Sequence, residues 1–170
     1  MIEIREERQG ESQEIRQVIV AAFGGDIEAD IVELLRDRNK VLVALVAVSA
    51  NKIVGHIMFS PVMITLAPKA FRAVGLAPLT VLPEFQRQGI GSMLAREGLK
   101  KCAEAGFDIV VVLGSHYYYP RFGFSRASLY GLGNEYDADK HFMAMELKNG
   151  ALDKVSGTVQ YSPEFKECGC

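Results

Sequence analysis

Residues Gln86-Arg87-Gln88-Gly89-Ile90-Gly91-Ser92 follow the apolar stretch Leu79-Thr80-Val81 and the pair Pro83-Glu84. The pattern ends a strand, crosses a short polar loop and opens a helix whose start carries two glycines one residue apart. The chemistry that suits such a turn is anion binding. The first N–H groups of a helix have no intrahelical acceptor and lie at the positive end of the helix dipole. Glycine removes the Cβ atoms that would keep a phosphate away. Arg87 adds formal charge and Ser92 adds a hydroxyl within the first turn. A pyrophosphate is the natural guest. A Walker loop would need a Gly-Lys-Ser or Gly-Lys-Thr ending, and there is none. A dinucleotide fingerprint would need a further glycine where Leu94 stands. The bland alternative is a tight strand-to-helix turn with no ligand.

The elements that must position this loop can be read from periodicity and punctuation. Ile2 and Ile4 alternate with charges, which predicts a short edge strand. Ile15, Val18, Ile19 and Ala22 recur at helical spacing up to Gly24-Gly25. Asp26 is placed to cap a second helix with an apolar stripe of Ile27, Ile31, Leu34 and Leu35. A buried strand is predicted over 41–49, a turn at Asn51-Lys52, and a second strand over 53–60 broken at Pro61. A further strand portion at 62–65 leads to a hairpin closed by Ala67-Pro68-Lys69. The strand over 74–81 contains Pro78, which cannot donate to a ladder and predicts a bulge or an unpaired side. A helix over 89–105 turns Leu94, Ala95, Gly98, Leu99 and Cys102 inward and stops at Gly106. A short apolar strand follows at 109–113, one helical turn at 117–121, and late strands at 141–147 and 155–161. The fold class this predicts is α+β: a mixed, mainly antiparallel sheet flanked by helices, with one central strand-helix-strand unit. No repeat or linker divides the chain, so a single domain is expected over 1–170, with its core over about 1–148 and a C-terminal strand and tail over 149–170.

Composition narrows the function classes. The chain has 170 residues, 49% hydrophobic and 24% charged, an ordinary globular mix. A net charge of −2 leaves no electrostatic footprint for nucleic acid or an anionic membrane surface. The longest apolar run, 41–48, is far too short to span a bilayer. The opening Met1-Ile2-Glu3-Ile4-Arg5-Glu6-Glu7 has no basic-then-apolar leader, so a cytoplasmic setting is expected. Of three cysteines, Cys102 falls in a helical pattern and Cys168 and Cys170 lie at the end of the chain. That argues against a disulfide framework and against a metal, and a frayed tail is expected.

The run Gln86-x-x-Gly89-x-Gly91, after a strand ending Val81-x-Pro83-Glu84, resembles the cofactor motif of the GNAT acetyltransferase superfamily. The resemblance continues through the helix to Gly106, the strand 109–113 and the run Tyr119-Pro120-Arg121-Phe122-Gly123-Phe124, which is similar to the family's Tyr-x-x-x-Gly-Phe. It spans most of residues 1–148, and the ending from Tyr118 to Phe124 looks like that of a subgroup of small bacterial members. The resemblance implies acetyl-CoA as cosubstrate, its pantetheine arm inserted where two parallel strands splay at a bulge. Pro78 sits where that bulge is needed. The backbone of Leu79, Thr80 and Val81 would pair with the pantetheine amides. The pyrophosphate would rest on the N–H groups of Arg87, Gln88, Gly89, Ile90, Gly91 and Ser92, just after Gln86. The resemblance also makes Tyr119 the general acid at the thioester sulfur. Pro120 and the short segment before it depart from the commoner pattern, in which a longer segment carries an asparagine.

Acetyl transfer to an amine needs a neutral amine, a polarised thioester carbonyl and a proton for the departing thiolate. A backbone N–H near Val81 could polarise the carbonyl. A phenol, with an ordinary pKa of about 10, is protonated at neutral pH and can donate. Tyr117 and Tyr118 compete with Tyr119, since a one-residue shift of register moves the role, and core packing is the bland alternative. No base stands out. Glu28, Asp30 and Glu33 lie on the helix the family uses to line its acceptor cleft, with a solvated face as the simpler reading. His56, within an apolar strand, reads as a hydrogen-bonded sheet residue; His116 follows a strand end near the expected thioester; His141 carries no expected role. Water can also relay the proton. The acceptor cleft would be shaped by loops at 24–33, 61–71 and 127–140.

The function expected is therefore an N-acetyltransferase moving an acetyl group from acetyl-CoA to the amine of a small molecule or peptide by direct attack. Two other readings stand beside it: a non-catalytic acyl-CoA-binding regulatory module, and an interaction partner using the Tyr117-Tyr118-Tyr119 patch. The tail from Gly150 is read as completing a sheet or a homodimer contact.

Overall fold

The elements run in the order β1 (Ile2–Glu6), α1 (Ser12–Phe23), α2 (Ile27–Asp37), β2 (Val43–Ser49), β3 (Lys52–Ile64), β4 (Ala73–Val81) and α3 (Ile90–Glu104). There follow β5 (Ile109–Leu113), β6 (Ser125–Arg126), β7 (Leu132–Asn134), β8 (Phe142–Glu146), β9 (Gly157–Tyr161) and α4 (Glu164–Glu167). The structure is a computed structural model that describes residues 1–65, 72–153 and 155–170. The expected hairpin closure at Ala67-Pro68-Lys69 lies outside the described residues, as does part of the 61–71 loop. The class is α+β: among the strand pairs whose register is described, β4 with β5 and β7 with β9 are parallel and the others antiparallel. The chain falls into two compact units, Met1–Phe59 with Pro78–Gly98 and Pro163–Cys170, and Ser60–Ala77 with Leu99–Ser162.

In the first unit, β1 pairs with β2 and β2 with the first part of β3, all antiparallel. Ala50 and Asn51, both with positive φ (48° and 64°), make the tight turn between β2 and β3. Helix α1 buries Ile15, Val18 and Ile19, and Gly24 ends it at φ 78° with its N–H on the Val20 carbonyl. Asp26 occupies the cap position of α2 yet makes no capping hydrogen bond. Its carboxylate lies 3.3 Å from Arg16 instead. The expected α2 stripe is rotated: Ile31 and Leu35 are buried with Ala29 and Val32, whereas Ile27 is exposed. Helix α3 starts in this unit, and Gly98 lets it sit on β3. A Cβ there would fall 2.5 Å from the buried Phe59 ring.

The tail is ordered rather than frayed. Phe165 and Glu164 of α4 are buried, and the Glu164 carboxylate meets Arg38 and Lys40, each at 3.0 Å. A buried carboxylate is tolerated only with such partners. Cys168 and Cys170 are free thiols, as is the buried Cys102.

In the second unit, the first part of β4 runs parallel to β5, Ala73 opposite Ile109 through Gly75 opposite Val111. Beyond Gly75 that register ends among the described residues, although β4 continues to Val81. Pro78 lies within that continuation of β4. β5 pairs along its length with β8, which also pairs with β6. β9 pairs with the last part of β3 and with β7. Pro61 does not break β3: it lies between Phe59, where one antiparallel register ends, and Val62, where the other begins. Its carbonyl accepts a hydrogen bond from the Ser162 hydroxyl at 2.8 Å. The short strands β6 and β7, in a segment rich in Gly, Ser and Asn, have no apolar run that would announce them.

Candidate active site

In the first unit β4 ends at Val81, Leu82 donates its N–H to the Val54 carbonyl at 2.8 Å, and a 3-10 turn follows at Pro83–Phe85. The chain then bends twice through the left-handed region, at Arg87 (φ 62°) and Gly89 (φ 85°). For arginine that conformation costs on the order of 1–3 kcal/mol, strain that concentrates at functional sites. Successive turns of this kind line up backbone N–H groups into a concave nest for an anion. Among the described residues no backbone acceptor is paired with the amides of Arg87, Gln88, Gly89, Ile90 or Gly91. Met93 is the residue that takes up the Gly89 carbonyl, at 3.0 Å. Gln86 and Gln88 brace the loop from their side chains: Gln86 Nε2 donates to the Val81 carbonyl at 3.0 Å and Gln88 Nε2 to that of Glu84 at 3.4 Å. The Ile90 side chain is buried, so only its backbone is available at the loop. Leu79 and Val81 are half-buried and Thr80 is buried, an alternation set by the period of the strand. The Thr80 hydroxyl has no hydrogen-bond partner among the described residues.

The second unit holds the tyrosines. The helical turn expected at 117–121 forms at Tyr119–Phe122, a 3-10 turn with Pro120 in its first positions. Tyr117 is 80% exposed, whereas Tyr119 is 9% exposed. The Tyr119 ring lies edge-on to Tyr118 and Phe124 at 5.2 and 5.8 Å and packs against Gly114, where a Cβ would fall 2.5 Å from Cε2. Burial, with Tyr118 adding to it, pushes the Tyr119 phenol up to about 12, so it holds its proton through the neutral range. Tyr118 is half-buried beneath the Arg121 guanidinium, 4.4 Å from its ring centre.

The same end of β5 carries two histidines. His141 Nδ1 lies 3.2 Å from the Gly114 carbonyl, and the Gly114 N–H donates to the His141 carbonyl at 2.9 Å. His116 sits edge-on to His141 at 5.1 Å and against Tyr117 at 3.9 Å. Burial, Lys140, His141 and Arg126 all lower the His116 pKa. His141 is a residue that sequence reasoning passed over; its position opening a strand beside β5 was the available signal.

The other candidates are spoken for. His56 is fully buried in β3, with Nε2 at 2.9 Å from Glu7. Glu7 in turn takes Arg36 at 2.8 Å. Burial by itself raises the Glu7 pKa, but hydrogen bonds from His56 and Arg36 bring it down to about 2. Burial lowers the His56 pKa against the pull of Glu7. Both directions leave the pair deprotonated, Glu7 ionised and His56 neutral. Arg36 already supplies the charge that Glu7 needs, so a neutral His56 donating through Nε2–H fits both. Asp30 and Glu33 hold Arg16 at 2.9 and 2.6 Å, and Glu28 is half-buried. No group of three or more His, Cys, Asp or Glu among the described residues is arranged to hold a metal ion. No helix among them is long and apolar enough to cross a membrane.

The strand-loop-helix turn is a feature of a class that comparison with known proteins identifies. The family model for the acetyltransferase (GNAT) domain matches residues 3–127. The chain belongs to the GNAT acetyltransferase family. It is 34% identical to the N-acetyltransferase YhbS of Escherichia coli strain K12 over 85% of this chain and 86% of that protein. It is also similar to a crystal structure of YhbS from Escherichia coli in complex with CoA, with a TM-score of 0.92 and 32% identity over 97% of this chain and 92% of that one. A GNAT family acetyltransferase from Brucella melitensis, in complex with acetyl-CoA, has a TM-score of 0.82 and 36% identity over 97% and 98% of the two chains.

Proposed function

We propose that residues 1–170 act as one acetyltransferase domain that moves an acetyl group from acetyl-CoA to the amine of a small molecule or peptide by direct attack. The observation that carries this reading is the loop from Gln86 to Gly91, whose amides from Arg87 onward have no backbone acceptor among the described residues. A diphosphate suits it: five successive N–H groups, at the start of a helix and next to an arginine, have no backbone acceptor among the described residues. Relatives bound to CoA and to acetyl-CoA support the same guest. Arg87, Gln88, Gly89, Ile90, Gly91 and Ser92 would hold the diphosphate, and Leu79, Thr80 and Val81 the pantetheine arm. Gln86 keeps the loop in shape through Val81.

Bound acetyl-CoA supplies the activated acyl group; the chain supplies binding and a proton. Tyr119 is the group we assign to protonate the departing sulfur. It is the buried member of the tyrosine run, and its raised pKa keeps it a donor at neutral pH. A non-catalytic acyl-CoA-binding module would share the loop but would not turn over. Two measurements separate the readings: acetyl-CoA affinity by calorimetry, and free-thiol release with a panel of primary amines. Binding with amine-dependent thiol release is the expected result. Binding with no release by any amine would favour the module. Gly91→Trp is expected to weaken acetyl-CoA binding at least about tenfold, since an indole fills the helix start, worth about 1.4 kcal/mol or more. Unchanged affinity would remove the loop from the cofactor site.

A further inference from the structure

We propose that His141 is the general base of the transfer: its Nε2 takes the proton from the attacking amine while its Nδ1–H is held by the Gly114 carbonyl. This rests on the acetyltransferase reading and on Tyr119 as the acid.

The tautomer follows from the contact. A carbonyl oxygen only accepts, so the His141 Nδ1 that lies 3.2 Å from it carries the hydrogen. In the neutral ring that leaves the lone pair on Nε2, the arrangement in which a backbone carbonyl orients a histidine for proton transfer. The ring is anchored at its own backbone as well, because the Gly114 N–H donates to the His141 carbonyl at 2.9 Å. Gly114 is also the residue against which the Tyr119 ring packs. One glycine at the end of β5 therefore sets the position of both the phenol and the imidazole. A side chain at 114 would displace the phenol, with its Cβ 2.5 Å from the ring.

His116 meets the His141 ring edge-on at 5.1 Å and is tilted against Tyr117 at 3.9 Å. Lys140 precedes His141 in the chain, and Arg126, whose partner Asp139 is 3.6 Å away, also bears on this group. Burial first, and then the charges of Lys140 and Arg126, lower the His116 pKa, so it competes less for the proton than an ordinary imidazole would. His141 itself is exposed, so a proton it takes can pass to water.

The step balances as follows. An amine that arrives as ammonium first gives one proton to water. The nitrogen lone pair attacks the thioester carbonyl carbon, a C–N bond forms, and the remaining excess proton on nitrogen passes to His141 Nε2. The C–S bond breaks with its electron pair on sulfur, which takes the Tyr119 hydroxyl proton. Tyr119 recovers a proton from water and His141 releases one to water.

The test compares wild type with H141A and H141Q in thiol release from acetyl-CoA across the pH range, using the primary amine that the wild type accepts best. If it accepts none, slow hydrolysis of acetyl-CoA, with water as acceptor, carries the same comparison. Both variants are expected to lose about 10²-fold or more in kcat, to keep wild-type acetyl-CoA affinity, and to lose the acidic limb of the kcat/KM profile. Added imidazole is expected to restore part of the rate to H141A. A glutamine can still donate to the Gly114 carbonyl but cannot take a proton. H141Q running at the wild-type rate, with the acidic limb intact, would therefore reduce His141 to a strut. Nitrogen NMR gives a second reading free of any acceptor: neutral His141 is expected to carry its hydrogen on Nδ1, and finding it on Nε2 overturns the proposal. Failure of the wild type to bind acetyl-CoA would instead sink the acetyltransferase reading itself.

Discussion

A phenol that is to protonate a thiolate must hold its proton until the sulfur leaves. In the role proposed for it, Tyr119 would do so because burial strips its anion of water and drives its pKa to about 12. The exposed Tyr117 has no such shelter. Replacing Tyr119 by phenylalanine keeps the ring that packs on Gly114 and beside Phe124 and removes only the hydroxyl. Tyr119→Phe is therefore expected to lower kcat about 10²-fold or more while leaving acetyl-CoA affinity within error. Steady-state kinetics beside a calorimetric titration would check it, and a variant with full turnover would return Tyr119 to a packing role. At Arg87 the residue scale shows something different: a side chain held in a backbone region that favours glycine. Position 87 in the sequence offered only its charge.

Between elements, α3 sits tightly on β3. A Cβ at Gly98 would lie 2.5 Å from Cε1 and 2.9 Å from Cζ of Phe59, a fully buried ring. Two effects oppose one another in Gly98→Ala. Alanine gains about 1 kcal/mol of helix propensity, and overpacking a tight core costs about 1–3 kcal/mol. Because the ring has no free end to swing aside, the clash wins, and the variant is expected to be less stable by about 1 kcal/mol. Urea unfolding measures this; a more stable variant would mean that α3 slides on the strand. The same helix begins directly after the loop from Gln86 to Gly89, so its seat also fixes the end of that loop. Sequence periodicity had placed Gly98 on the inner face of α3, but not the ring that requires it.

For the molecule as a whole, the Glu7–His56–Arg36 cluster couples folding to titration in the acid range. Both shifts point the same way with pH. The His56 pKa is lowered on folding, so the unfolded chain binds the proton first and stability falls as pH drops below about 6.5. Glu7 is lowered from 4.5 to about 2, so its contribution is present above that upper value and is lost as pH falls through the window between them. Unfolding free energy is therefore expected to be level at neutral pH, to decline below about 6.5 and to decline again in the carboxylate range. Glu7→Gln should flatten the second decline, and equal slopes in the variant and wild type would count against the cluster. The C-terminal segment adds to the same ledger of buried charge: Glu164 is held by Arg38 and Lys40. Nothing in its local pattern distinguished it from a solvated tail.

The sequence by itself determined the α+β class, the strand-loop-helix turn at Gln86 to Ser92 and the family. These depend on short-range spacing, on glycine and proline stereochemistry and on apolar period, all of which are written locally. The tertiary structure alone decided that Pro61 could lie within β3, that the expected α2 stripe would rotate to bury Ala29 and Val32, and that the tail would fold onto charged partners. It also decided that Tyr119, rather than its neighbours, would be buried, and that His141 would meet the Gly114 carbonyl. Such outcomes depend on which residues meet across long stretches of chain. Burial and hydrogen bonding are properties of those meetings, not of any residue's immediate neighbours.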